Sequence, residues 1–99
     1  MEKLQNFIDG KFTSPKNGGY FDNYEPGTGK VYSLIPDSDS EDVELAVKAA
    51  EKAFPIWSSM SLEERSKILV KISEGIEKRM DEFVAAESRD NGKPLHLAA

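Results

Sequence analysis

Cysteine is absent from this chain. Without it there can be no disulfide framework, no thiolate nucleophile and no Cys-ligated metal within these residues. Histidine occurs once, at His96, with no second His, no Cys and no helical His-Glu pattern to complete a metal site, so it is read as incidental. Long apolar runs are missing as well. Residues 1–10 hold no uninterrupted core of signal-peptide length, and no stretch is long enough to span a bilayer. A cytoplasmic protein is therefore the expectation. Positive charge is not in excess: 13 basic residues against 18 acidic ones leave a net charge of -5. That balance opposes a nucleic-acid backbone and gives no polybasic footprint for anionic lipid, so neither is expected as a partner.

What remains is ordinary globular material. Of 99 residues, 38% are hydrophobic, 9% aromatic and 31% charged, well away from the composition of disordered chains. This length holds one small domain at most, because surface outgrows volume as chains shorten, and it cannot hold a two-domain enzyme.

The first third reads as strands and turns. Asn6-Phe7-Ile8 and Lys11-Phe12-Thr13 flank Asp9-Gly10, a dipeptide that takes the positive φ angles of a two-residue hairpin turn. A loop rich in turn formers follows at residues 14–19. Residues 20–24 and 31–35 then read as a second hairpin-like pair around Glu25-Pro26-Gly27-Thr28-Gly29.

From Ser40 the periodicity becomes helical. Val43, Ala46, Val47, Ala50, Ala53 and Phe54 recur at spacings of three and four, on one stripe, with Ser38, Asp39 or Ser40 available as the cap. Pro55 disfavours helical geometry in the residue before it, which predicts a stop at Phe54. A second helix is predicted from Ser61, where Ser61-Leu62-Glu63-Glu64 has the spacing of a capping box. Its stripe runs through Ile68, Leu69, Ile72, Ile76 and Met80. Asp81 is then expected to cap a third, shorter helix with Phe83, Val84 and Ala86 on its buried side. Gly92 suits the left-handed position after that helix, and Pro94 blocks continuation. Gly75, inside the second helix at a cost of roughly 1 kcal/mol relative to Ala, predicts close approach of another element. Residues 1–36 are thus strands and turns, and 38–92 are helices.

Several motifs bear on chemistry. Asp37-Ser38-Asp39-Ser40-Glu41-Asp42 resembles the start of a calcium loop. The position that needs Gly is Asp42, however, and the twelfth position is Lys48, so the acids read as helix N-terminal charges facing the dipole. Gly27-Thr28-Gly29 is followed by Tyr32 where a dinucleotide fingerprint needs its third glycine, and it leads into a strand, so it reads as a turn. Trp57 reads as filler between the first two helices, with ligand stacking as the alternative. The charges of the second helix, Glu63 to Arg79, read as a solvated face. No catalytic and no cofactor-binding residue is identified in this chain.

Taken in order, Phe7-Ile8-Asp9-Gly10-Lys11-Phe12, Tyr24-Glu25-Pro26-Gly27-Thr28-Gly29-Lys30-Val31, Glu41-Asp42-Val43-Glu44-Leu45-Ala46-Val47-Lys48-Ala49-Ala50, Trp57 with Ser61-Leu62-Glu63-Glu64-Arg65, and Glu87-Ser88-Arg89-Asp90-Asn91-Gly92-Lys93-Pro94 resemble the opening of aldehyde dehydrogenases. No single piece is specific, but five in register cover essentially the whole chain. Within the family, Tyr20-Phe21-Asp22-Asn23-Tyr24, residues 53–59 and residues 86–98 look most like enzymes acting on 2-aminomuconic or 2-hydroxymuconic semialdehyde.

The resemblance implies an α/β fold in which these residues are the N-terminal hairpin strands and about three helices of a Rossmann-like NAD(P)-binding domain, incomplete by itself. The parent it implies is several times longer, uses NAD or NADP, oxidises a small aldehyde and is a homo-oligomer. In that family a Cys thiolate attacks the aldehyde, hydride passes to the nicotinamide, and a Glu-activated water hydrolyses the thioester. All of those groups fall beyond Ala99 in the family's layout, so the segment is expected to be structural and inactive. What the family does place here is a structural monovalent-cation site, using the backbone carbonyl at Tyr24 and the carboxylate at Asp90; a surface acid at a helix C-terminus is the competing reading of Asp90. Glu25 departs from the Asn usual before Pro26, which bears on how the Tyr24 carbonyl is aimed. The alternative from another class is an independent small α+β binding or interaction module. The closing Leu95-His96-Leu97-Ala98-Ala99 reads as the approach to a further helix, which favours the longer parent.

Overall fold

The computed structural model describes residues 1–99. In chain order the elements are β1 (Glu2–Lys3), β2 (Asn6–Ile8), β3 (Lys11–Thr13), β4 (Tyr20–Glu25), β5 (Lys30–Pro36), α1 (Ser40–Ser59), α2 (Leu62–Lys78), α3 (Met80–Asn91) and α4 (Leu95–Ala98). They fall into two compact units. One comprises Met1–Tyr24 and Val31–Ser58, the other Glu25–Lys30 and Ser59–Ala99.

In the first unit β2 and β3 pair antiparallel, with Asn6 opposite Thr13, Phe7 opposite Phe12 and Ile8 opposite Lys11. Asp9 at φ 53° and Gly10 at φ 75° supply the two left-handed residues that a two-residue hairpin turn of this twist requires. The Phe7 and Phe12 rings meet edge to face, 5.1 Å between centroids. A separate three-stranded sheet has the order β1-β5-β4. Its β1–β5 pairing is parallel, Glu2 opposite Ser33 and Lys3 opposite Leu34, and the Leu4 amide continues it by donating to the Leu34 carbonyl at 2.9 Å. The two-residue β1 is too short to leave a periodic signal in the sequence.

Helix α1 starts as its cap chemistry predicts: the Asp39 carboxylate accepts from the Glu41 and Asp42 amides at 3.0 and 3.4 Å. It does not stop at Phe54. It runs through Pro55 to Ser59, because proline's own φ is helical and its ring removes one ladder N–H without preventing the next turn. Trp57, expected as filler between helices, stays 37% exposed.

In the second unit the Ser61 hydroxyl accepts from the Glu64 amide at 3.1 Å, the amide half of the capping box. Helix α2 ends at Lys78, two residues short of the stripe's last member, Met80. Arg79 (φ -116°, ψ 24°) is the joint, and Met80 opens α3. Asp81 is therefore not the cap; it lies in the first turn of α3, where its charge faces the positive helix end. Gly92 closes α3 at φ 79°, its amide donating to the Ser88 carbonyl at 2.9 Å. No other element approaches Gly75: a Cβ built there would meet nothing within 4 Å, so the expected close contact is not made inside this chain.

No hydrophobic residue is buried in either unit. The stripes predicted to pack are present but open, with Val43 at 59%, Ile72 at 54% and Phe83 at 49% exposure; Ala86 is also exposed and Val84 half-buried. The expected buried side of α3 is thus not buried within these residues. What is buried is Pro15, Ser33 and Asp42.

Candidate functional site

Tyr24 lies on β4 and its side chain is exposed; Asp90 lies in the last turn of α3 and is also exposed. The first belongs to one compact unit and the second to the other, so the pair rests on the family resemblance alone. No cluster of three or more His, Cys, Asp or Glu side chains is arranged to hold a metal ion. One carboxylate and one carbonyl make an incomplete oxygen shell for a hard cation.

The turn after Tyr24 is built around Glu25. Its carbonyl accepts from the Thr28 and Gly29 amides at 3.2 and 2.7 Å, and its carboxylate accepts from the Thr28 hydroxyl at 3.0 Å and from Arg89 Nε at 3.1 Å. This ties the turn to the C-terminal end of α3. Gly92 lies against the same turn: a Cβ there would come within 3.2 Å of Pro26 Cβ. Beyond Gly92, the Ser88 hydroxyl donates to the Lys93 carbonyl at 2.6 Å, and the Lys93 amide donates to the Asn91 side chain at 2.7 Å. Sequence reading singles out Glu25 but not its partner Arg89, 64 positions away.

The buried polar residues are anchors. Asp42 is 4% exposed and accepts from the Lys16 amide at 2.9 Å and the Asp39 amide at 3.2 Å, joining the loop after β3 to the start of α1. Ser33, 1% exposed, accepts from the Asn23 amide group at 3.1 Å between β5 and β4. Sequence reasoning placed Asp42 among helix N-terminal charges and missed that it reaches back 26 residues.

At the α2–α3 joint, Arg79 donates to Glu82 through two bonds of 2.7 and 3.0 Å. Those hydrogen bonds first, and the attraction of the two charges second, lower the Glu82 carboxyl below its ordinary value and raise the Arg79 guanidinium. Both groups are fully exposed, so water screens the pair. Gly27-Thr28-Gly29 lies in the β4–β5 turn with no helix start beside it, so this motif is a turn and not a phosphate-cradling loop. No helix is long and apolar enough to cross a membrane.

The arrangement of strands and helices is shared with solved structures. A structure of PnpE from Pseudomonas sp. WBC-3 superposes with a TM-score of 0.93 at 36% identity over 99% of this chain and 20% of its own. An NAD-dependent aldehyde dehydrogenase from Sinorhizobium meliloti gives 0.92 at 35% identity over 99% of this chain and 20% of its own. These define an α/β segment of aldehyde dehydrogenase type. The description "Aldehyde dehydrogenase family" matches residues 12–99, and the chain belongs to that family. Among curated relatives, the human 2-aminomuconic semialdehyde dehydrogenase is 50% identical over 95 residues, 96% of this chain and 19% of the relative. An aldehyde dehydrogenase of Deinococcus radiodurans is 45% identical over 94 residues, 95% of this chain and 18% of the relative. The chain spans about a fifth of the length of the relatives it matches.

Proposed function

We propose that the full-length protein oxidises an aldehyde to its carboxylic acid with NAD or NADP as hydride acceptor, and that these 99 residues are scaffold within its coenzyme-binding domain. The observation that carries this reading is the superposition of essentially the whole chain on one fifth of structures described as dehydrogenases, one of them complexed with NAD. Two features support the scaffold role. The chain has no cysteine to serve as nucleophile, and its apolar stripes are open, as surfaces are that pack on further structure. An independent interaction module would bury a core of its own, and nothing here favours that second reading.

The semialdehyde resemblance extends the proposal to a muconic semialdehyde as substrate, in a cytoplasmic homo-oligomer. Identity near 50% to the 2-aminomuconic enzymes supports the substrate class. The test is to purify the natural full-length chain and follow coenzyme reduction with 2-hydroxymuconic semialdehyde and with a simple aliphatic aldehyde. Turnover of the semialdehyde with the higher kcat/KM is expected; absence of coenzyme reduction with every aldehyde overturns the activity. Coenzyme reduction by residues 1–99 alone overturns the scaffold role. The cation proposal, Tyr24 carbonyl with Asp90 carboxylate, predicts that removing monovalent cations lowers the melting temperature of the wild-type protein and leaves D90N unchanged. Equal shifts in both reject it.

A further inference from the structure

In the first unit residues of the β2–β3 hairpin, the loop after it and α1 line an open groove of about 380 Å³. Four lysines line it. Lys11 comes from β3, Lys16 from the loop that follows, and Lys48 and Lys52 from successive turns of α1. This concentration of positive charge stands out in a chain whose net charge is -5. Two carboxylates share the lining, Asp9 and Asp42. Asp42 is already engaged, since its two oxygens accept from the Lys16 and Asp39 amides. Lys48 makes one loose contact, 3.8 Å to Glu44 between two well-exposed side chains, which is worth little. Lys11, Lys16 and Lys52 make no ion pair within the chain. Four ammonium side chains around one concavity outnumber the two carboxylates beside them, and a multiply charged anion can engage several of them together.

We propose that this lysine-lined groove binds the di- or triphosphate group of a small molecule. Ammonium groups on flexible stems hold phosphate oxygens as point charges and donors without fixed geometry, and the volume suits a ligand of that size. The site is separate from the turn around Glu25 and does not depend on the proposed dehydrogenation.

The test uses the natural full-length chain with NAD at saturation, so that any coenzyme pocket is filled, and titrates inorganic pyrophosphate by calorimetry. Saturable binding is expected. It should weaken about tenfold, the order of two lost solvent-exposed ionic contacts, in K48Q/K52Q and in K11Q/K16Q, and persist in the charge-conserving K48R/K52R. A pyrophosphate-dependent rise in melting temperature, present in wild type and K48R/K52R and lost in K48Q/K52Q, is the second readout. No saturable binding, as would follow if an acidic segment of the full chain fills the groove, overturns the proposal. So does binding of equal strength in wild type and both Gln variants. Coenzyme reduction is measured alongside in all variants; because it rests on other residues, its loss or survival bears on the catalytic reading and leaves the binding result to stand alone.

Discussion

The two units of this chain stand without an apolar interior by different means. The strand-rich unit is held by polar side chains that reach far along the sequence: Asp42 accepts from the Lys16 amide and Ser33 from Asn23, while Asn6 donates to Ser38 and Asn17 to the Asp37 carbonyl. The helical unit is held mostly by neighbours in sequence. Its Ser61 cap, the Arg79–Glu82 pair and the Gly92 closure each span a few residues, and one longer link joins Glu25 to Arg89. Helices satisfy their backbone internally, whereas strands and loops must find partners elsewhere, so polar burial concentrates where backbone groups would otherwise be orphaned.

That contrast can be strained first at Asp42. D42A leaves two backbone amides without their acceptor in a buried setting and is expected to destabilise the full-length protein by about 3 kcal/mol in urea unfolding. A loss below ~1 kcal/mol would mean that the strand-rich unit does not depend on its buried acceptor. The matching probe in the helical unit is G92A. It forces Ala into a left-handed conformation and pushes a methyl toward Pro26, at an expected cost of about 1–2 kcal/mol in the same assay. A neutral result would show the α3 closure to be freely adjustable. Smallest is the pH effect at the α2–α3 joint. Glu82 has a lowered carboxyl in the folded protein, so its contribution is complete above the ordinary glutamate range and is lost as pH falls through the lowered value. NMR titration should place its midpoint below the ordinary glutamate range, and R79M should return it to that range. An unchanged midpoint in R79M would show that Arg79 is not the cause.

Where structure is local, the sequence announced it. Asp9-Gly10 specified its hairpin, Ser61 its cap and Gly92 its closure, because each needs a particular residue type at one position. The family resemblance, read from five short pieces in order, agrees with a match over residues 12–99. Pro55 misled because the rule against helix before proline is a bias, and one missing N–H near a helix end is tolerated. Asp81 misled because Arg79 makes the joint, and helix-capping types are preferences that the backbone can override. Gly75 promised a neighbour that these residues do not supply. The roles of Asp42 and Arg89, and the meeting of Lys11 and Lys16 with Lys48 and Lys52, depend on how distant segments fold together, and no periodicity encodes that.

The β2–β3 ribbon closes over eight consecutive residues and needs nothing from the rest of the chain to pair its strands. Hairpins form in about 1–10 μs, while a ribosome adds roughly 5–20 residues per second. The ribbon can therefore pair its strands before the residues that follow are made, with Phe7 and Phe12 at 64% and 75% exposure on its surface. Until later structure covers it, that aromatic pair is displayed to holdase chaperones and to other nascent chains, which gives quality control a local element to grip.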